Sequence, residues 1–248
     1  MISSPEFAPP IGEVIAANTS QFTAQCIDVP GSDGVSDLPD PPPFGVFVRI
    51  GGGPAASPSE RDAIPLPADF DPFESPSTAI APISSGDALV LYGVVFHAEI
   101  GSLEAGRPLT AFGLDEESLR REQPQIFELL ATRFSAVLVA HATNTDGSGI
   151  RPHLPPHPPR PHARVYIATE SETRHLTERL DYLRPLLLGL NGGATSYPAD
   201  ELVAALLRNA WRAHNGDDAF LLRAGRELAS LLPTDYDRLR SIVNRVIR

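Results

Sequence analysis

Lysine is absent from this sequence, and all twenty of its basic residues are arginine. A Walker P-loop needs a lysine to reach the terminal phosphates of a nucleotide, and Schiff-base catalysis needs a lysine amine. The composition therefore excludes a Walker-type ATPase and an enzyme that works through a lysine Schiff base.

Cysteine is almost as scarce, since Cys26 is the only one. One cysteine excludes a disulfide within the chain and any zinc site with more than one thiolate ligand. The first residues, MISSPEFAPP, have neither the basic nor the apolar region of a signal peptide, and no apolar run approaches the roughly 18 residues of a membrane span. We therefore expect a soluble, cytoplasmic protein in a reducing compartment.

Positive charge is also in short supply, because the formal net charge is −11. The first 113 residues contain only three arginines, Arg49, Arg61 and Arg107. Such a balance gives phosphate backbones no long-range attraction and disfavours a general nucleic-acid binder.

Proline is abundant, with 26 residues, while an apolar content of 42% is ordinary for a globular protein. Short segments with a period of two occupy the first hundred residues: 12–17, 22–27, 45–50 and 88–100. Gly93, inside the last of them, indicates a bulge or bend. Several short strands without a helical period between them favour a small closed β-barrel over a sandwich.

The predicted fold class is α+β. The first predicted domain is the barrel, residues 1–113, with long loops at 29–43 and 51–87. The second, residues 114–248, is a mixed α/β segment followed by a helical C-terminal domain. It should contain a helix that restarts at Pro124 and carries Ile126, Leu129, Leu130 and Phe134, two buried strands at 135–142 and 164–170, and three closing helices.

Three histidines lie in the proline-rich stretch RPHLPPHPPRPHARVY, residues 151–166. His153, His157 and His162 suggest either a metal site or a rigid proline strap between the two strands. Polyproline II has three residues per turn, so spacings of four and five do not bring the imidazoles to one face. The pattern favours the strap, with His162 as a hydrogen-bonding anchor, and we expect no metal or other cofactor.

Two further patterns admit a chemical interpretation. Cys26 is the only thiol nucleophile, with His97, His141 and His175 as its available bases, but its shared face with Phe22 and Ala24 favours a core residue. The carboxylates Asp69, Asp71 and Glu74 lack the spacing of an EF-hand and are typical of solvated loop charges.

The segment GSLEAGRPL, residues 101–109, predicts a structural turn, because glycines flank Glu104 and allow backbone conformations that other residues avoid. The alternative is a loop that contacts a partner, with Arg107 as its anchoring side chain. The residues predicted to contact a partner are Arg107, Glu104, Arg49 and Tyr92.

An ordered set of short segments resembles the stand-alone HAS-barrel proteins, whose barrel is also found in the HerA DNA translocase and the rotary ATP synthase. In the first half the matching segments are Gly12-Glu13-Val14-Ile15, Phe22-Thr23-Ala24-Gln25-Cys26, Tyr92-Gly93-Val94-Val95 and Gly106-Arg107-Pro108. In the second half they are Gln123-Pro124-Gln125, Leu154-Pro155-Pro156, Pro158-Pro159-Arg160 and Arg223-Ala224-Gly225-Arg226-Glu227-Leu228. The resemblance covers nearly the whole chain apart from residues 51–86.

The resemblance implies a barrel that assembles subunits into rings and docks partners without catalysis. We therefore expect a non-enzymatic assembly or adaptor protein that self-associates or docks onto a HerA-like ring ATPase in DNA processing. The alternative is a single-stranded nucleic-acid binder, whose bases would stack on Phe44, Phe47, Phe70 or Phe73.

Overall fold

The structure is a computed structural model that describes residues 9–27, 38–51, 89–103, 109–143, 149–188 and 197–247. The strands are β1 (Gly12–Ala17), β2 (Gln21–Cys26), β3 (Phe47–Ile50), β4 (Val90–Ser102), β5 (Leu130–Ala142) and β6 (Arg164–Ile167). The helices are α1 (Glu116–Glu122), α2 (Gln125–Glu128), α3 (Glu170–Leu176), α4 (Leu183–Leu188), α5 (Ala199–Ala213), α6 (Asp218–Leu231) and α7 (Tyr236–Ile247).

The six strands form a closed antiparallel barrel in the order β1-β2-β5-β4-β3-β6, and β6 pairs back with β1. The α+β class and the closed barrel are thus confirmed. A hairpin joins β1 and β2, and the side-chain oxygen of Asn18 accepts hydrogen bonds from the backbone N–H groups of Ser20 and Gln21. Asparagine favours tight turns because its side chain can satisfy the backbone in this way.

The barrel interior is filled by alternate residues of all six strands. Phe22 and Phe134 meet edge to face there, with ring centroids 6.4 Å apart. Burial of each large apolar side chain contributes about 1.5–3 kcal/mol to stability. The predicted inward face of β2 is confirmed, and so is the irregularity at Gly93, where the register between β4 and β5 shifts. The interior residues are Val14, Phe22, Ala24, Cys26, Val48, Ile50, Leu91, Val95, Phe134, Ala136, Leu138 and Val165.

The barrel extends beyond the first 113 residues, because β5 and β6 supply two of its strands. Residues 130–134 are strand, so the predicted helix through Leu130 and Phe134 is wrong; α2 already ends at Glu128. The backbone of this segment pairs with β4 from Ser102↔Leu130 to Ala98↔Phe134. A run of apolar residues is compatible with a helix and with a strand, and here the long-range pairing with β4 selects the strand.

The C-terminal helices cover one outer wall of the barrel. Val94 of β4 and Val137 of β5 point outward into a second core, which also contains Tyr182, Leu202 and Leu206 of the helical part. The three predicted C-terminal helices are confirmed as α5, α6 and α7. Asn215 and Gly216, both with positive φ, separate α5 from α6.

The segment between β5 and β6 is irregular from 152 to 163, and Arg151 forms an isolated bridge with His141. Pro155 and Pro159 are buried along it. Within the described ranges, no helix combines the length and the apolar character that a membrane crossing needs.

Two buried or half-buried histidines make stability depend on pH. The pKa values of His141 and His214 lie below the ordinary 6.5, mainly because burial disfavours the imidazolium, with smaller contributions from the charges of His153 and Arg151 at His141 and of Arg223 at His214. Below pH 6.5 the unfolded chain binds protons that the folded chain does not, so the free energy of unfolding should fall as the pH drops through this range.

The variant His214→Gln tests this pH dependence, because it removes one of the two titrating side chains. In the wild type the His214 imidazole stacks on Phe220, and its Nε2 lies 2.8 Å from Thr177 Oγ1. Urea unfolding at about pH 7.5 and about pH 5.5 should show a smaller difference in this variant than in the wild type. His157→Gln, at an exposed position, is the control. Equal pH dependence in both variants would contradict the assignment to His214.

Candidate functional site

Two of the four predicted contact residues are buried inside the protein. Arg49 of β3 is 2% exposed and Tyr92 of β4 is fully buried. Arg49 Nη1 donates a hydrogen bond of 2.9 Å to Glu172 Oε1 of α3, and the Tyr92 hydroxyl donates one of 3.2 Å to the same oxygen. Both side chains thus face α3 rather than the protein surface. Glu104 and Arg107 lie outside the described residues.

Glu172 is held from its other side by the start of α3. Its Oε2 accepts hydrogen bonds from the Thr169 backbone N–H, at 2.8 Å, and from the Thr169 hydroxyl, at 3.0 Å. Thr169 and Glu172 thus form a capping box, which their spacing in the sequence also predicts. The Arg49 guanidinium also lies over the Tyr166 ring, 5.2 Å from its centroid. The buried polar cluster therefore joins the barrel wall to α3, and a partner contact by Arg49 or Tyr92 stays a prediction.

The histidines of the proline-rich segment are not gathered at one point. The backbone N–H of His162 donates to the Val14 carbonyl at 2.8 Å, and its Nδ1 lies 3.5 Å from Glu13 Oε2. His153 lies instead beside His141, with ring centroids 4.7 Å apart. In the part of the chain that the structure describes, no three histidine, cysteine or carboxylate residues are grouped to hold a metal ion.

Cys26 faces the barrel interior. Burial, with a smaller effect from the Asp40 charge, raises the pKa of its thiol to about 11. The thiolate is the nucleophilic form of cysteine, so this environment suits a core residue. Asp69, Asp71 and Glu74 lie outside the described residues.

The aromatic residues considered for base stacking are divided between core and surface. Phe47 is 1% exposed and packs edge to face on Tyr182, with centroids 5.9 Å apart. Its ring is therefore inaccessible to a nucleic-acid base. Phe44 is 39% exposed, and Phe70 and Phe73 lie outside the described residues.

An open backbone edge occurs on β4 beyond the start of β3. The β3 side of β4 is occupied up to Val95, whose N–H donates to the Val46 carbonyl and whose carbonyl accepts from the Gly45 N–H. From His97 to Gly101, no described strand pairs with this side, and we call these residues the free edge of β4. Their other side stays paired with β5, whereas the register with β5 shifts at Phe96, which is buried.

The free edge carries charged side chains on one face. His97 Nε2 and Arg133 Nη1 each lie 3.8 Å from a carboxylate oxygen of Glu99. His97, Ala98, Glu99 and Ile100 are all exposed, and successive strand residues point to opposite faces, so both faces of β4 reach solvent here. Ile100 alone is 55% exposed.

A second surface is an apolar groove of about 640 Å³ between α6 and α7. Leu221, Leu222, Val243 and Ile247 line it, and Asp218 and Arg226 add polar groups. Leu222 and Ile247 are 63% and 66% exposed. We call this surface the α6–α7 groove.

Neither surface was predicted as a site from the sequence. The sequence did contain a signal for the free edge. The predicted strand over 88–100 is much longer than the one over 45–50, so it must extend beyond it if the two pair. No comparable signal marks the groove, because its apolar residues follow the ordinary stripe of a helix that packs on a core.

Comparison with protein-family models and with curated proteins finds no match for this chain.

Proposed function

We propose that this chain is a non-enzymatic assembly or adaptor protein. Its barrel self-associates or docks onto a ring ATPase with a barrel of the HerA type, and it acts in DNA processing in the cytoplasm. The resemblance of segments such as Tyr92-Gly93-Val94-Val95 to HAS-barrel proteins supports the type of partner.

The free edge of β4 is the observation that carries this proposal. Closing a barrel removes exposed strand edges, which otherwise pair with other chains. Here the barrel is closed, yet β4 continues past the start of β3 with exposed residues from His97 to Ile100. An edge left open on an otherwise closed sheet is suited to pairing with another protein chain.

The α6–α7 groove supports an adaptor role because it offers a second surface on the same molecule. Apolar patches rimmed by polar residues mark protein interaction sites. The groove has the shape for one apolar face of a partner helix, and its polar residues Asp218 and Arg226 can pair with charges flanking that face. An adaptor of this design bridges two proteins through separate elements.

Co-purification with a HerA-type ATPase from the same cells tests the proposal. We expect the wild-type chain to retain the ATPase and Ile100→Glu to reduce its recovery by on the order of tenfold, because a charge then lies in the apolar part of the strand contact. The variant should fold normally, since Ile100 is 55% exposed. Tyr236→Glu is the matched control, because Tyr236 is 71% exposed and lies in α7, outside the free edge.

Equal recovery of the ATPase with both variants would show that the free edge of β4 does not bind it. Failure of the wild-type chain to recover an ATPase or a DNA-repair protein, together with a strictly monomeric mass, would refute the adaptor function itself.

A further inference from the structure

The α6–α7 groove leaves one stretch of helix backbone uncovered. Gly225, in the middle of α6, lines the groove, and a Cβ added there would meet nothing within 4 Å. Glycine is unfavourable inside a helix, and its lack of a side chain lets another backbone come close. The groove therefore has room for a second helix to pack directly on α6.

An exposed leucine lies beside this open stretch. Phe220 and Ala224 are buried and hold α6 to the core, whereas Leu222 is 63% exposed. At about 100° per residue, Phe220 and Leu222 point to opposite sides of the helix. Leu222 therefore contributes little to the core of its own chain, and an apolar side chain beside an apolar groove is suited to burial against a partner.

The charges of the groove are placed symmetrically about this leucine. Among the described residues that line the groove, only Asp218 and Arg226 are charged, and both are exposed. They lie four residues before and four residues after Leu222. Residues four apart are neighbours on one side of a helix. Asp218 and Arg226 are themselves about 12 Å apart along the helix axis, too far to form a salt bridge with each other.

This arrangement is complementary to its own copy. When a two-fold axis relates two antiparallel helices, residues at equal distances on either side of the axis face each other. An axis at Leu222 sets Asp218 of each copy against Arg226 of the other, twice by symmetry. An axis at any other residue of α6 loses both of these charge pairs. The same register places Leu222 against its own copy and Gly225 opposite Ala219, which is small and exposed.

We propose that α6 of a second copy packs antiparallel on α6, with a two-fold axis at Leu222, and covers the α6–α7 groove. This inference rests on the proposed function and names the helix that the groove binds. It leaves the free edge of β4 available for the ring ATPase. One helix per copy forms a small interface, so the dimer is weak and depends on concentration.

Cysteine cross-linking tests the register. The axes of packed helices lie about 8–10 Å apart, which brings residues on the two-fold axis within reach of a disulfide. Leu222→Cys should therefore form a disulfide-linked dimer under mild oxidation. Ala229→Cys is the control, since Ala229 also lines the groove but its two copies would lie about 21 Å apart along the helices. The buried Cys26 of the wild-type chain gives the blank. Equal cross-linking at 222 and 229, or none at 222, overturns the proposal.

A charge exchange tests the same pairing without oxidation. Arg226→Asp sets two carboxylates against each other twice by symmetry and should weaken the dimer by on the order of tenfold in sedimentation velocity at low salt. The exchange D218R/R226D restores opposite charges and should restore the dimer. Arg184→Asp, the same change at an exposed arginine of α4, should have no effect. Equal association of R226D and the wild type contradicts the register, as does a failed rescue in a double variant that circular dichroism shows to be folded.

Failure of this inference is distinguishable from failure of the proposed function. A wild-type chain that recovers the ATPase, while Leu222→Cys does not cross-link, keeps the adaptor function and refutes self-pairing of α6. A chain that cross-links at residue 222 but recovers no partner keeps the self-pairing and refutes the docking function. A chain that stays monomeric alone, and loses the ATPase on Arg226→Asp, assigns the groove to the ATPase and overturns the self-pairing.

Discussion

Glu172→Ala lowers the free energy of unfolding by about 3–5 kcal/mol, which is the expected cost of removing one member of a buried ion pair. The Arg49 and Glu172 side chains are only 3% and 7% exposed, and their nitrogen and oxygen lie 2.9 Å apart. The substitution leaves the Arg49 guanidinium buried without this carboxylate, and α3 loses its capping box. Equilibrium unfolding in urea measures the change.

Glu170→Ala is the matched control, because Glu170 lies in the same first turn of α3 but is exposed. Its contact with Arg174, at 3.9 Å, belongs to a surface ion pair of the kind that contributes at most about 1 kcal/mol. The double variant R49M/E172L should recover much of the loss, since apolar residues often replace a buried ion pair at little cost. Equal losses for E172A and E170A would show that the cluster does not hold the barrel to α3.

The second large effect is expected at Gly45, where the chain entering β3 passes α5. Gly45 has a φ of +76°, and an added Cβ would lie 2.7 Å from Ala205 Cβ and 2.8 Å from the Leu206 backbone nitrogen. Gly45→Ala should therefore lower the free energy of unfolding by about 2–5 kcal/mol, because left-handed backbone strain and steric overlap add together. Thermal and urea unfolding both measure it.

Gly113→Ala separates the two causes. Gly113 has a φ of +70°, but an added Cβ would meet nothing within 4 Å. Gly113→Ala should therefore lower the free energy of unfolding by about 1 kcal/mol, from backbone strain alone. The larger loss of unfolding free energy in Gly45→Ala then measures the effect of the close approach between the barrel and α5. An equal loss in the two variants would contradict that approach.

Local patterns in the sequence predicted the elements whose structure depends on near neighbours. The strands β1 and β2, the strand β4 with its irregularity at Gly93 and the capping box at Thr169 are each set by a few adjacent residues. The amphipathic stripes of α5, α6 and α7 were equally clear, because each helix packs one apolar face on a single core.

Long-range pairing decided what local patterns could not show. The apolar residues from Ile126 to Phe134 fit a helix or a strand, and the thirteen-residue strand β5, paired with β4, includes the second part of this run. Strand order in the barrel follows from such contacts as well. Only the folded chain shows that β5 and β6 close it.

The candidate site was harder still to predict. Arg49 and Tyr92 are polar residues on predicted strands, which made surface contacts a reasonable expectation. The carboxylate that binds Arg49 lies 123 residues further along the chain, so no local pattern links them. The free edge of β4 likewise depends on where β3 begins, and no local pattern defines the register of β3 against β4.

Light scattering on the untagged chain, alone and mixed with the HerA-type ring ATPase from the same cells, tests the assembly function most directly. We expect the mass of the chain alone to rise with concentration towards that of a dimer, and the mixture to contain a species heavier than either component. A constant monomer mass at every concentration, with a mixture that shows only the two separate components, would refute the assembly function.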